Sequence, residues 1–279
     1  MRRKKSIIRI FFICFLSIII AGSLARVGSG EDYTPEIGQP GKDVVWVPTP
    51  QPLVDRMLDM AKVTPRDYLI DLGSGDGRVV ITAAKRGVRA HGIEYNPDMV
   101  ALSERNAAKE GVSDKATFEK ADIFESDFSQ ATVITMFLLP NLNLKLRPII
   151  LGLKPGTRIV SNTFDMGEWE ADDTATATEG CESFCTAYFW VVPANVGGTW
   201  KLRREELTIE QNFQMFTGTL KSGDLDLPVE GKISGDRIRF NAGGKVYVGR
   251  VNGDSMDGKF IDGRGGKWKA SRIQQERQQ

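Results

Sequence analysis

Eleven consecutive residues, Tyr68-Leu-Ile-Asp-Leu-Gly-Ser-Gly-Asp-Gly-Arg78, constrain this chain more than any other part of it. The short apolar run Tyr68 to Leu72 reads as a buried strand, and three alternating glycines follow it. Arg78 to Arg86 then takes up a helical pattern. A glycine loop between a strand and a helix lets the backbone approach a ligand closely, and the helix start presents free N–H groups. The spacing is G-x-G-x-G, not the dinucleotide G-x-G-x-x-G, and Asp71 sits two residues before the first glycine. A carboxylate at that strand end suits a cationic amino group better than a pyrophosphate. Glu94, 23 residues beyond Asp71, ends the next apolar run and is placed to accept hydrogen bonds from both hydroxyls of a ribose. Asp122, in Lys120-Ala121-Asp122-Ile123, is placed to accept from an adenine amino group.

The surrounding periodicity alternates between strand and helix. Gln51–Ala61 is helical, with Leu53, Val54, Met57, Leu58 and Ala61 on one face and Pro50 at its start. Ala90–Glu94 is a strand, and Pro97–Glu110 is a helix capped by Asn96 and stopped at Gly111. Ala116–Glu119, Thr132–Phe137 and Arg158–Asn162 are further strands, with a helix over Leu142–Leu153. Phe184–Val192, aromatic and β-branched, closes the sheet. Repeated strand–helix units predict an α/β, Rossmann-like, doubly wound sheet with helices on both faces. From Gly198 to Arg272 the class changes to short alternating strands with 13 glycines. The element X-Gly-Asp recurs 18 residues apart, at Gly235-Asp236 and Gly253-Asp254, where hairpins would turn. A small antiparallel β-barrel-like domain is expected there. The predicted division is a leader (1–25), a linker arm (26–47), the α/β domain (48–193), the β domain (194–272) and a tail (273–279).

With Asp71, Glu94 and Asp122 in place, residues 48–193 resemble a class I S-adenosylmethionine-dependent methyltransferase with a seven-stranded sheet. The resemblance implies that Asp71 holds the methionine amino group of S-adenosylmethionine and that Gly73, Ser74, Gly75, Asp76 and Gly77 wrap it. Glu94 with the adjoining Asn96 would bind the ribose, and Asp122 with Ile123 the adenine. Val47-Pro-Thr-Pro50, Asp71–Arg78 and Phe137-Leu-Leu-Pro-Asn-Leu-Asn-Leu-Lys-Leu-Arg-Pro148 are similar to a narrower family. It contains the lysine methyltransferases of the mitochondrial adenine nucleotide translocase and of the ATP synthase c-ring protein, with bacterial relatives. That likeness implies methylation of a protein lysine amine, with membrane proteins among the candidate substrates.

Methyl transfer needs alignment of the nucleophile and exclusion of water more than acid–base groups. Asn141, in the loop after the fourth strand, is the first candidate for orienting the acceptor amine, although its context is not the N/D-P-P-Y of amino-methyltransferases acting on bases or glutamine. Thr49, just before the first helix, is the second. The single histidine, His91, lies inside a strand and reads as structural; it also excludes metal sites needing two or more histidines, so no metal is expected.

Charge narrows the partners. The chain carries 37 basic and 36 acidic residues, a net of +1. Residues 1–25 hold five bases and no acid, residues 26–193 hold 17 bases and 25 acids, and residues 194–279 hold 15 bases and 11 acids. An α/β domain at −8 does not favour a nucleic-acid partner.

The leader, MRRKKSIIR followed by a 16-residue apolar run to Ala25, has two readings. One is a secretory signal peptide with an A-x-A-like site at Ser23-Leu-Ala25. The other is an uncleaved membrane anchor, although a helical run of that length reaches only ~24 Å against a ~30 Å hydrocarbon core. Either places the body outside the cytoplasm, exported or membrane-anchored, with membrane contact if uncleaved. Cys181 and Cys185 would lie about 13 Å apart in a strand, so a disulfide between them needs a loop; two unpaired thiols are the alternative. Because S-adenosylmethionine is made in the cytosol, an exported non-catalytic binding protein of the same fold stands beside the enzyme reading, as does a small-molecule methyltransferase.

Overall fold

The computed structural model describes residues 33–261 and 265–273. The leader read at residues 1–25 lies outside the described residues. Among these, no helix is long and apolar enough to cross a membrane.

The α/β part is one mixed sheet of seven strands: β1 (Tyr68–Leu72), β2 (Arg89–Glu94), β3 (Ala116–Lys120), β4 (Val133–Met136), β5 (Arg158–Asn162), β6 (Asp173–Thr176) and β7 (Thr186–Val191). Their order is β3-β2-β1-β4-β5-β7-β6, with β7 antiparallel to both of its neighbours and the other pairings parallel. β1 and β4 are central and buried on both faces, which explains their continuous apolar sequences. The order reverses at β1, so the loops leaving β1 and β4 part there and open a crevice at the strand ends.

Helices α1 (Gln51–Met60), α2 (Arg78–Lys85) and α3 (Pro97–Lys109) cover one face, and α4 (Pro140–Leu151) covers part of the other. α1 buries Leu53, Val54, Met57 and Leu58 against Val79, Val80 and Ala83 of α2. On the opposite face Leu142, Leu146 and Ile150 of α4 pack with Trp169 and Trp190. No helix lies between β5 and β6, so the large rings of Trp169 and Trp190 fill space that a helix would otherwise take.

β8 (Gly198–Leu202), β9 (Glu205–Asn212), β10 (Met215–Ser222), β11 (Leu225–Ser234), β12 (Arg237–Ala242), β13 (Lys245–Asn252), β14 (Ser255–Ile261) and β15 (Gly266–Arg272) form a closed antiparallel barrel. β15 returns to pair with β8, so no edge strand is left free. Inward positions alternate, as in Arg237 to Ala242, where Ile238, Phe240 and Ala242 are buried. Phe240 stacks on Tyr247 at 4.3 Å and meets Trp268 edge-on at 5.7 Å, so the barrel is filled by side chains. The turns at Gly235-Asp236 and Gly253-Asp254 fall where the sequence places them.

The barrel docks on the half-covered face of the sheet. Phe213, in the β9–β10 turn, stacks on Trp169 at 6.0 Å, and the Arg147 guanidinium lies 5.3 Å over the same Phe213 ring. Gln214 Nε2 donates to the Glu170 carbonyl at 2.8 Å, and Lys232 pairs with Asp172 at 2.8 Å.

Three sequence expectations need correction. β7 begins at Thr186, because Phe184 has φ 56° in a loop closed by a disulfide. α4 begins at Pro140, two residues before the expected start, with proline in the first turn. β6, Asp-Thr-Ala-Thr at the sheet edge, carries no apolar alternation to betray it. The cysteine alternative resolves as a pair: Cys181 and Cys185 are disulfide-bonded with Cα atoms 5.8 Å apart.

Candidate active site

A cavity of about 560 Å³ opens at the carboxyl ends of β1, β2, β3 and β4. The glycine loop forms its floor. Gly75 has φ 55°, and a Cβ there would lie 2.8 Å from Trp46 Nε1; Gly77 has φ 81°, and its Cβ would lie 2.8 Å from the Phe118 ring. No side chain fits at either position. The loop is pinned from beneath, with Ser103 Oγ donating to the Gly75 carbonyl at 2.8 Å and Asn106 Nδ2 to the Asp76 carbonyl at 3.0 Å.

Three carboxylates mark three places along the cavity. Asp71 is buried at the end of β1, where Thr135 Oγ1 donates to Oδ1 at 2.6 Å. Burial pushes its carboxyl up to about 7; the Thr135 bond opposes this, and the charges of Glu94 and Asp76 add to it. A buried acid held that high is matched to a cationic ligand group, which restores the ionised form. Glu94, at the end of β2, accepts from Gly75 N and Asn96 N, each at 2.9 Å, which fixes its carboxylate against the loop. Asp122 accepts from Phe124 N at 2.9 Å and pairs with Lys42, whose hydrogen bond holds it below the usual carboxylate range. Lys42 thus occupies the acceptor that an adenine amino group would use, with its ammonium 4.9 Å above the Tyr95 ring.

The segment before α1 is more than a linker. Residues 38–46 turn back on themselves, with Gly38 N donating to the Trp46 carbonyl and Trp46 N to the Gln39 carbonyl, and lie along the cavity. Arg78 ties this strap to the loop: it grips the Asp76 carboxylate with Nε at 3.0 Å and Nη2 at 2.6 Å, while Nη1 donates to the Thr49 carbonyl at 2.8 Å.

Of the residues expected from sequence, Asp71, Gly73, Ser74, Gly75, Asp76, Glu94, Asn96, Asp122, Ile123 and Thr49 line this one cavity. Gly77 stands behind it as the N-cap of α2. Asn141 is the exception: it is exposed on the first turn of α4 and outside the lining, whereas Leu138, Leu139 and Leu142 around it face the cavity. Pro140 starts the helix early and turns Asn141 to solvent. Thr49 is buried and accepts from Asn162 Nδ2 at 3.2 Å. His91 bonds Thr117 Oγ1 at 2.9 Å away from the cavity. Lys42, Trp46, Tyr95, Phe164 and Phe184 also line the cavity, and of these only Trp46, beside Val47-Pro-Thr-Pro50, carries a local signal in the sequence.

The donor set fits S-adenosylmethionine: a buried acid for its ammonium, a fixed carboxylate for its diol and a third acid for its adenine amine. Ser74 Oγ is buried in the loop without a partner among the described residues, leaving a hydroxyl unassigned on the cavity floor. The profile of the ANTKMT methyltransferase domain matches residues 71–173. A protein-lysine N-methyltransferase of Saccharolobus islandicus is 43% identical over 152 residues, which are 53% of this chain and 94% of that protein.

This chain belongs to that methyltransferase family.

The human lysine N-methyltransferase of the ATP synthase c-ring protein is 34% identical over 46% of this chain, but the match covers only 54% of the human protein. An RNA methyltransferase of Salinibacter ruber, solved with S-adenosylhomocysteine, is 49% identical with a TM-score of 0.50, covering 54% of this chain and 96% of that one. The shared part is the methyltransferase fold, and S-adenosylmethionine is its cofactor. The family match ends at residue 173, before the barrel.

Proposed function

We propose that this chain transfers a methyl group from S-adenosylmethionine to the side-chain amine of a protein lysine. The observation that carries the proposal is the two-ended cavity. Its β2 and β3 side holds Glu94 and Asp122, and its β4, β5 and β7 side is walled by Leu138, Phe137, Phe164 and Phe184. One end is built for a polar nucleoside and the other for an apolar chain.

When bound, S-adenosylmethionine supplies a methyl group already activated on a sulfonium. Asp71 and the loop Gly73–Gly77 hold the amino-acid end, so the reacting centre faces the apolar side. There the leucine and phenylalanine walls exclude water, and an amine entering a dry pocket loses its proton more readily. Thr49, fixed by Asn162, is the hydroxyl available at that side to orient the nitrogen. Asn141 has no part in this arrangement.

The likeness to the RNA methyltransferase of Salinibacter ruber favours a second reading, an RNA acceptor. The net charge of −8 over residues 26–193 opposes a polyanion. The decisive assay incubates the protein with methyl-labelled cofactor and a lysate of its host, then asks whether label enters protein, RNA, lipid or small metabolites. Acid-stable label in protein lysine supports the proposal. Label confined to RNA or small molecules refutes it, and S-adenosylhomocysteine binding without any transfer supports the non-catalytic alternative.

We further propose that the body is delivered outside the cytoplasm, exported or anchored by residues 1–25, and that a membrane protein is among its substrates. The basic-then-apolar leader supports this, and so does the Cys181–Cys185 disulfide, since such bonds persist in oxidising compartments. Protease treatment of intact spheroplasts tests it: a body protected from digestion overturns the placement and removes the difficulty of cofactor supply.

A further inference from the structure

Three phenylalanine rings from three separate loops meet at the apolar end of the cavity. Phe137 follows β4, Phe164 follows β5 and Phe184 precedes β7. The Phe137 centroid lies 6.2 Å from that of Phe164 and 5.3 Å from that of Phe184. The strand pairing puts them there: Leu72 is level with Met136, Met136 with Ser161, and Asn162 with Ala187, so these loops leave the sheet beside Gly73. None of the three rings belongs to either core of the sheet. Large apolar side chains that serve no core and face a cavity are a binding surface.

Phe184 is held most deliberately. It is 39% exposed, yet its backbone sits at φ 56° and that of Thr163, before Phe164, at φ 63°. Non-glycine residues adopt this region under strain and stay there only when their surroundings over-determine them. Here the Cys181–Cys185 disulfide closes the loop around Phe184. Ala177 N donates to the Cys185 carbonyl at 2.9 Å, and Thr163 N donates to the Thr186 carbonyl at 2.7 Å, tying the β5 loop to the foot of the disulfide loop.

We propose that Phe184, set by the Cys181–Cys185 loop, is a specificity-determining residue. With Phe137 and Phe164 it forms an aromatic passage that admits an aliphatic ammonium chain to the methyl-donating centre. This rests on the lysine reading of the same site. Ring faces attract the incoming cation, ring bodies pack the methylene stem, and none of the three offers an acceptor that would retain the proton. The two cysteines act through Phe184 and are positioning residues.

The test uses the whole protein, labelled S-adenosylmethionine, a library of lysine-centred peptides and a ribosomal RNA fragment. On the best-labelled peptide, Phe184→Ala is expected to raise KM roughly tenfold while Phe184→Trp restores it. S-adenosylhomocysteine affinity and kcat stay within about twofold in both variants. The double variant Cys181→Ser with Cys185→Ser moves KM in the direction of Phe184→Ala, and a reductant does the same to wild type but leaves the double variant unchanged. An unchanged KM in Phe184→Ala overturns the proposal, and Phe184→Leu matching Phe184→Trp overturns its aromatic basis. A double serine variant with wild-type KM overturns the role of the loop. Wild type that labels RNA, or neither acceptor, defeats the lysine reading and this proposal together, whereas peptide labelling with an indifferent Phe184 defeats this proposal alone.

Discussion

Asp71 makes cofactor binding a pH-dependent event. Its carboxyl sits near 7 because it is buried, and the ligand ammonium it receives needs it ionised. At pH 8 about nine in ten molecules of the free protein have Asp71 charged, and at pH 6 only about one in ten. The apparent Kd for S-adenosylhomocysteine should therefore weaken about tenfold from pH 8 to pH 6, a loss of about 1.4 kcal/mol. Calorimetric titration in two buffers of different ionisation enthalpy measures the linked proton directly. About 0.9 proton should leave on binding at pH 6 and about 0.1 at pH 8. Asp71→Asn should bind weakly at both values and release none. A wild-type Kd that is flat between pH 6 and pH 8, with no proton release, refutes the assignment of Asp71 to the ammonium.

The same shift has a consequence for the free protein, with a definite sign. The folded value, about 7, lies above the ordinary 3.8. Asp71 therefore favours the fold fully at low pH, and that contribution is lost as pH rises from about 4 through 7, an upper bound on the order of 4 kcal/mol. Saturating S-adenosylhomocysteine should remove this part of the loss, because the ammonium compensates the buried charge.

Other positions are testable by single substitutions. Gly77→Ala places a Cβ at φ 81° and 2.8 Å from Phe118, so thermal unfolding should report a loss of at least about 1–3 kcal/mol and S-adenosylhomocysteine binding should fall with it. Trp169→Ala empties a fully buried site between sheet and barrel and should cost about 3–5 kcal/mol by denaturant melt; Phe213→Ala should cost less but speed proteolytic cleavage between β7 and β8. Asn141→Ala should leave methyl transfer within about twofold of wild type. Asn143→Ala, by contrast, removes the donors to the Phe164 and Asp165 carbonyls at 3.1 and 3.0 Å and should lower transfer to peptide more than cofactor affinity.

What can be read from the sequence, and what cannot, divides along physical lines. Asp71, Glu94 and Asp122 are legible because each sits at or just past the end of a strand in the regular strand–helix alternation, and the glycines mark where backbone replaces side chain. The acceptor side is opaque because its residues come from loops, where no period exists. Asn141 has a functional residue type, but one proline decides which way it points. Phe184 resembles the start of a strand, since an aromatic beside Thr186–Val191 continues the β pattern; only the disulfide makes it a loop. Phe164 follows β5 without a helix to come, and that missing helix is the link between the two domains. A sheet face with α4 alone leaves Trp169 and Trp190 to be covered, and Phe213 of the barrel covers Trp169. The β module thus completes the methyltransferase core. Its filled interior of Phe240, Tyr247 and Trp268 argues that its contribution is made from the outside, by bracing the loop after β5 that carries Phe164 into the acceptor passage.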